Sequence, residues 1–244
     1  MFAQPPKKLL RPVGRAIADF SMIRDGDRIL LGLSGGKDSL SLLHLLAHFR
    51  RHAPIRFELG AVTIDPQSED FDPSPLIPYM KSLGIDYHFV SEPVVELAER
   101  HMGKDSFCAF CSRMRRGLMY KTARAGGYGV LALAQHLDDL AESFLMSALH
   151  GGRLKTMKAH YRIDEGDLRV IRPLVYARER QLRAFADSAG LPVIEDNCPA
   201  CFAAPTQRQR MKEILAAQEA DYPNTFRNLL STLRPLMSEG LPAD

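Results

Sequence analysis

The chain has 244 residues, 45% of them hydrophobic and 25% charged, with a net charge of +3. That length allows one large domain or one domain with appendages, and the composition matches an ordinary globular protein. The charge is too small to announce nucleic-acid binding by itself, and no apolar run reaches the ~18–20 residues needed to span a bilayer.

The N-terminal stretch Met1 to Arg11 is polar and lacks a signal-peptide core. Four cysteines without such a signal point to a reducing, cytoplasmic setting. Lys8 to Ile23 carries Leu9, Val13, Ala16, Ile17 and Phe20 at helical spacing. A helix is expected there, ending near Asp25-Gly26-Asp27. Arg28–Leu33 is an apolar strand, followed by Ser34-Gly35-Gly36-Lys37-Asp38-Ser39 and a helix through His52. Strand, glycine loop and helix aim backbone N–H groups and a positive helix end at a phosphate. Lys37 adds a charge and Asp38 a candidate magnesium ligand. The spacing fits neither the G-x-x-x-x-G-K-[ST] loop nor the dinucleotide fingerprint.

Phe57–Asp65 is a second strand, ending in Asp65 at the edge where open α/β sheets bind ligands. Proline-rich residues 66–78 lead into a short helix closed by Gly84. Asp86–Ser91 is a third strand, Val94–His101 one or two helical turns, and Cys111–Ala125 a basic helix. Val130–Ala134 is a fourth strand and Asp138–His150 the next helix. Lys155–Asp167 reads as irregular. Val170–Val175 is a fifth strand interrupted by Pro173, and Ala177–Ala189 a helix. Pro192–Asp196 reads as a short edge piece, and Thr206–Ala220 and Asn224–Leu236 as C-terminal helices. The alternation predicts an α/β fold, a parallel sheet with helices on both faces. Its expected organisation is an N-terminal helix over residues 1–25, a core over 26–200 and a helical C-terminal extension over 201–244.

Asp138 and Asp139 follow the fourth strand directly. Adjacent carboxylates at a strand's carboxyl end suit a cation shared with phosphate oxygens, or activation of an attacking group. Read in isolation, the same pair caps a helix. The cysteines form two C-x-x-C pairs, Cys108/Cys111 and Cys198/Cys201. Two such pairs build a tetrahedral zinc site or hold an iron–sulfur cluster, and spacing alone favours zinc. Arg113, Arg115, Arg116, Lys121 and Arg124 form a basic tract with no acid between Ser106 and Leu137. Such a run is either a solvated face or a phosphate-binding one. Its position beside the cysteines favours RNA phosphate.

Together, Ser34-Gly-Gly-Lys-Asp-Ser39, Cys108-x-x-Cys111 with Ser112-Arg113-x-Arg115-Arg116-Gly117, Asp138-Asp139, Gly151-Gly152, Ile171-Arg172-Pro173-Leu174 and Gln207-Arg208-Gln209 resemble the tRNA 2-thiocytidine synthetase family. These are PP-loop tRNA thiolases of Rossmann-like fold. The resemblance implies an ATP-dependent sulfurtransferase that adenylates the C2 oxygen of a cytidine in the tRNA anticodon loop. Sulfur, delivered with a 4Fe–4S cluster, then displaces AMP. It implies that Ser34 to Ser39 hold the pyrophosphate. Asp38 with Asp138 or Asp139 would manage Mg²⁺ and the acceptor, and Asp65 would lie beside the adenosine. Cys108, Cys111 and Cys201 would hold the cluster, with Cys198 a fourth ligand, a persulfide carrier or neither. It also implies tRNA and a cysteine desulfurase or other sulfur donor as partners, and a homodimer. The spacing around Cys198 and Cys201, and Gln135-His136, depart from the family's usual run. Other readings are a PP-loop tRNA ligase with structural zinc and a non-catalytic ATP-binding regulator.

Overall fold

The apolar run that opens the chain's first strand divides its side chains between two cores. In β1 (Asp27–Gly32), Ile29 and Leu31 enter one core and Leu30 the other. That period-two split is what a strand covered on both faces requires. The computed structural model describes residues 2–68, 71–101, 107–194 and 206–238. Five parallel strands and one antiparallel edge strand form a single sheet. In chain order they are β1, β2 (Phe57–Asp65), β3 (Asp86–Ser91), β4 (Val130–Ala132), β5 (His160–Arg162) and β6 (Arg169–Ile171). Their spatial order is β3-β2-β1-β4-β6-β5.

The larger core gathers α1 (Lys7–Asp19), α2 (Lys37–His52), α3 (Leu76–Leu83), α6 (Leu137–Gly151), α7 (Glu179–Ser188), α8 (Gln207–Asp221) and α9 (Thr225–Met237). Val13, Leu43, Leu140, Leu182 and Leu233 are fully buried in it. Burial of each such side chain contributes about 1.5–3 kcal/mol. The other face is covered by α5 (Phe107–Ala125), through Leu118, Met119 and Ala123. Between β3 and α5 lies α4 (Val94–His101). Both terminal parts of the chain thus share the core of the sheet.

Four local expectations change. The first helix stops at Asp19, short of Ile23, because Ser21 takes a left-handed φ of 46° and Met22 N–H bonds back to Ile17 O. That reversal buries Met22 and Ile23 beneath the sheet. Residues 155–167 are not irregular throughout: they contain β5, turned back onto β6 through Gly166 at φ 75°. β6 ends at Ile171 because Pro173 has no N–H for the ladder, and the chain turns through Val175 N–H to Arg172 O. Residues 192–194 make no edge strand. Ile194 N–H instead donates to Gly35 O at 3.0 Å, so this segment buttresses the glycine loop.

Candidate active site

The sheet's connections part between β1 and β4. From β1 the chain runs outward to β2, and from β4 to β6. The loops after these neighbouring strands diverge, leaving a crevice at their carboxyl ends, as expected at a topological switch point. The crevice has a volume of about 1050 Å³.

Its floor is the Ser34–Ser39 loop. Gly35 sits at φ +85°, and a Cβ there would meet Ile194 Cδ1 at 3.0 Å. Both the backbone angle and the packing therefore demand glycine. Ser34 and Ser39 tie the loop together. Ser34 N–H donates to Ser39 Oγ at 3.2 Å, Gly36 N–H to Ser34 Oγ at 3.3 Å, and Ser39 Oγ–H to Gly36 O at 3.0 Å. The sixteen-residue α2 begins at Lys37, so its positive end lies at the loop.

Lys37 is held by two acids, Asp38 Oδ2 and Glu179 Oε1, each 3.1 Å from Nζ. Burial opposes its charge, but Asp38 and Glu179 outweigh that and raise its pKa. Burial raises the pKa of Asp38 against the pull of His136 and Lys37. Its Oδ1 is buried with no hydrogen-bond partner among the described residues. A desolvated carboxylate with one oxygen unsatisfied suits a cation shared with phosphate. Glu179 shows the opposite balance. Burial disfavours its charge, yet hydrogen bonds from Lys212 and Lys37 bring its pKa down to about 2.

The adjacent aspartates part company. Asp139 completes a capping box with His136: His136 N–H donates to Asp139 Oδ2 at 2.9 Å, and Asp139 N–H to His136 Nδ1 at 3.4 Å. Asp139 also lines the crevice, so it combines the capping and crevice roles. The ring bridges the acids of the site: Nε2 lies 3.7 Å from Asp38 Oδ2, and Nδ1 lies 3.3 Å from Asp139 Oδ2. Asp138 turns to the start of α7, where it accepts from Arg178 Nε at 3.1 Å and Glu179 N–H at 2.8 Å. It thereby positions Glu179 against Lys37.

Asp65 accepts from Gln67 N–H and Ser91 Oγ–H, both at 2.9 Å, and stands apart from the crevice walls. Val62 and Ile64 of the same strand do line the crevice. Arg115 and Arg116 form part of its α5 wall together with Ser112, whereas exposed Arg113 does not. Cys111 is half-buried in the first turns of α5, next to Ser112. Cys108 lies three residues earlier on the same helix. Cys198 and Cys201 lie outside the described residues.

His136, Glu179, Arg172 and Arg208 join the site from elements far apart in sequence. Arg208, at the start of α8, pairs with Glu142 at 2.8 Å and Asp139 at 3.4 Å. Burial raises the pKa of Glu142, while Arg208 opposes the rise. A smaller cavity of about 270 Å³ lies beside the crevice. Asp38, Asp139 and Arg208 border both spaces. Gln207-Arg208-Gln209 was a legible motif, but nothing local to it points at Glu142.

Comparison with known proteins agrees with this geometry. The PP-loop domain model matches residues 7–216. The tRNA-cytidine(32) 2-sulfurtransferase of Geobacter sulfurreducens is 42% identical over 93% of this chain and 89% of its own length. That of Pasteurella multocida is 38% identical over 98% of this chain and 76% of its own. Among solved structures, the U34-tRNA thiolase NcsA from Methanococcus maripaludis with its 4Fe-4S cluster aligns with a TM-score of 0.78. It is 20% identical, over 98% of this chain and 80% of that one, a likeness that shows the fold. Among the described residues no helix is long and apolar enough to cross a membrane. The chain belongs to the PP-loop family and, within it, to the tRNA-cytidine(32) 2-sulfurtransferases.

Proposed function

We propose that this chain uses ATP to replace the C2 oxygen of a cytidine in the tRNA anticodon loop with sulfur. The observation that carries the reading is the continuity of the crevice. One cavity joins the phosphate-ready loop, the acids Asp38 and Asp139, and the arginines of the helix that bears Cys108 and Cys111. In this reading the amides at the start of α2, with Lys37, receive the β- and γ-phosphates of ATP. The adenosine lies along Val62 and Ile64, with Asp65 holding the end of β2 through Ser91.

The cytidine O2 attacks the α-phosphorus, the bond to the bridging oxygen breaks, and pyrophosphate leaves with its electron pair. Concentrating positive charge on those phosphates is the main task of the site. Asp38, with its unsatisfied Oδ1, and Asp139 are the carboxylates proposed to hold Mg²⁺, which keeps few protein ligands and takes phosphate oxygens and water besides. A sulfur nucleophile then adds at C2, and AMP departs carrying the former O2. Asp138 acts at one remove, by fixing Arg178 and Glu179.

Cys108 and Cys111, both borne by α5, are proposed as two ligands of a 4Fe–4S cluster, and Cys201 as the third. When bound, the cluster supplies the site for sulfide. Cys198 is left free for a fourth ligand or a persulfide role. The reading also includes a cysteine desulfurase or other sulfur donor, a homodimer and a cytoplasmic setting. Arg113 is assigned to tRNA outside the crevice, and Arg115 and Arg116 to tRNA at its rim.

The test is anaerobic turnover with ATP, tRNA and sulfide. AMP and 2-thiocytidine should form in step, and AMP should not form without tRNA. ATP binding with no tRNA-dependent AMP would overturn the reading in favour of a regulator. Reversing charge at Arg115 and Arg116 together should weaken tRNA binding and make the log–log salt dependence shallower by about 1–2. Unchanged affinity and slope would return these arginines to a solvated face.

A further inference from the structure

Gln135 stands where β4 opens into the crevice, one residue before His136. Its side-chain Oε1 accepts a hydrogen bond from Arg172 Nε at 2.9 Å. Arg172 has little freedom to move. It is 6% exposed, its Nη1 donates to Lys158 O at 2.6 Å, and its guanidinium lies over Tyr161, 5.5 Å from the ring centre. Its backbone N–H donates to Ala159 O at 2.8 Å. The guanidinium thus comes to Gln135 from a direction set by β5 and β6.

An arginine can only donate. It therefore decides which way the glutamine amide faces: oxygen toward Arg172 and NH₂ away from it. Among the described residues Gln135 Nε2 has no hydrogen-bond partner. A half-buried side chain that lines the crevice consequently presents donors to whatever enters.

We propose that Gln135, with its amide oriented by Arg172, reads the target base by donating from Nε2 to N3 of cytosine. Cytosine N3 carries a lone pair and accepts such a bond. Uracil carries N3–H, which would meet the Nε2 hydrogens head on. The contact is therefore a discriminator between the two pyrimidines, each of which offers a C2 oxygen to the same chemistry. It leaves O2 free to attack phosphorus, and N3 remains an acceptor in the 2-thio product. Arg172 is the positioning residue and Gln135 the specificity-determining one. This inference rests on the reading of the site as a cytidine-activating one.

Gln135→Glu tests it with minimal change of shape. One carboxylate oxygen stays with Arg172 and the other puts an acceptor where a donor stood. AMP release is measured with the cognate tRNA and with the same tRNA carrying uridine at the target position. The kcat/KM for cytidine should fall about 10- to 100-fold, as expected when a donor is lost from a buried polar pair. The cytidine-to-uridine preference should collapse with it. KM for ATP and tRNA affinity should stay within about twofold. Arg172→Lys, which cannot hold Oε1 in the same way, should lower the cytidine-to-uridine preference and kcat/KM for cytidine together, with KM for ATP unchanged. Should Arg172→Lys fail to fold, Gln135→Ala replaces it, with the same loss of preference and no repulsive acceptor.

An unchanged cytidine-to-uridine ratio in Gln135→Glu overturns the inference. So does a loss confined to KM for ATP, which would place Gln135 on the adenine. Failure of the wild-type protein to release AMP with the cytidine tRNA overturns the underlying reading, and this inference falls with it. The two failures are thereby told apart.

Discussion

Asp38→Asn is expected to reduce AMP formation at least about 10²–10³-fold, the scale of losing a preorganised electrostatic group, without making the ligand-free protein less stable. The carboxylate is largely buried and one of its oxygens has no partner among the described residues. Burying an amide costs less than burying an ionised carboxylate. Burial raises the folded pKa of Asp38 above its ordinary value of 3.8. Between the unfolded and folded values the native state holds the extra proton. The group's contribution to stability therefore falls as pH rises from about 3.8 through the folded pKa. Below that window the wild-type and variant chains should differ little. Above it the variant should melt at the same temperature as wild type or higher. A melting profile taken from about pH 3 to pH 8, together with AMP release at neutral pH, checks both halves. Normal AMP release would remove Asp38 from the chemistry, and a variant that melts well below wild type at pH 7 would make it a structural residue instead.

Cys111→Ser is expected to empty the metal site while leaving ATP chemistry intact. Anaerobically purified wild type should hold about four irons and four acid-labile sulfides per chain. Each of Cys108→Ser, Cys111→Ser and Cys201→Ser should bring both counts to near zero. Tm should move little, because the core lies on the sheet away from the start of α5. tRNA-dependent AMP release should survive, since the loop, Asp38 and Asp139 are untouched, while 2-thiocytidine falls to background. Cys198→Ser separates a fourth ligand, which lowers the iron count, from a sulfur carrier, which does not. One zinc and no sulfide in the wild type would exclude the cluster and turn the four cysteines into a structural site.

The parts of this protein determined by sequence alone are those governed by short-range rules. A strand buried on both faces shows as the run Ile29 to Leu31, and its loop shows as glycines at the position where φ must be positive. The strand Asp86–Ser91 and the helix that opens with Asp138 and Asp139 in its first turn were equally legible, because strand propensity and helix-start chemistry are local. Pro173 shows in sequence as a break in the fifth strand, although the extent of β6 depended on its pairing.

Tertiary structure alone decided which polar groups meet. Asp138 and Asp139 are neighbours in sequence, yet about 100° of helical turn separates their directions. Which of them reaches the crevice depends on the start of α7 being brought to the start of α6, so that Arg178 and Glu179 N–H claim Asp138. Glu179 could not be assigned to Lys37 from composition. The two lie far apart in sequence and come to 3.1 Å only when α7 packs on α2. Ile194 looked like part of an edge strand, but its N–H is spent on Gly35 O because the glycine loop lies beside it. Arg172 and Gln135 likewise meet through the pairing of β4 with β6, and the buried guanidinium then sets the direction of the amide. Local sequence selects backbone conformation through sterics and hydrogen bonding within a few residues. The partners of a charge are selected by the packing of whole elements.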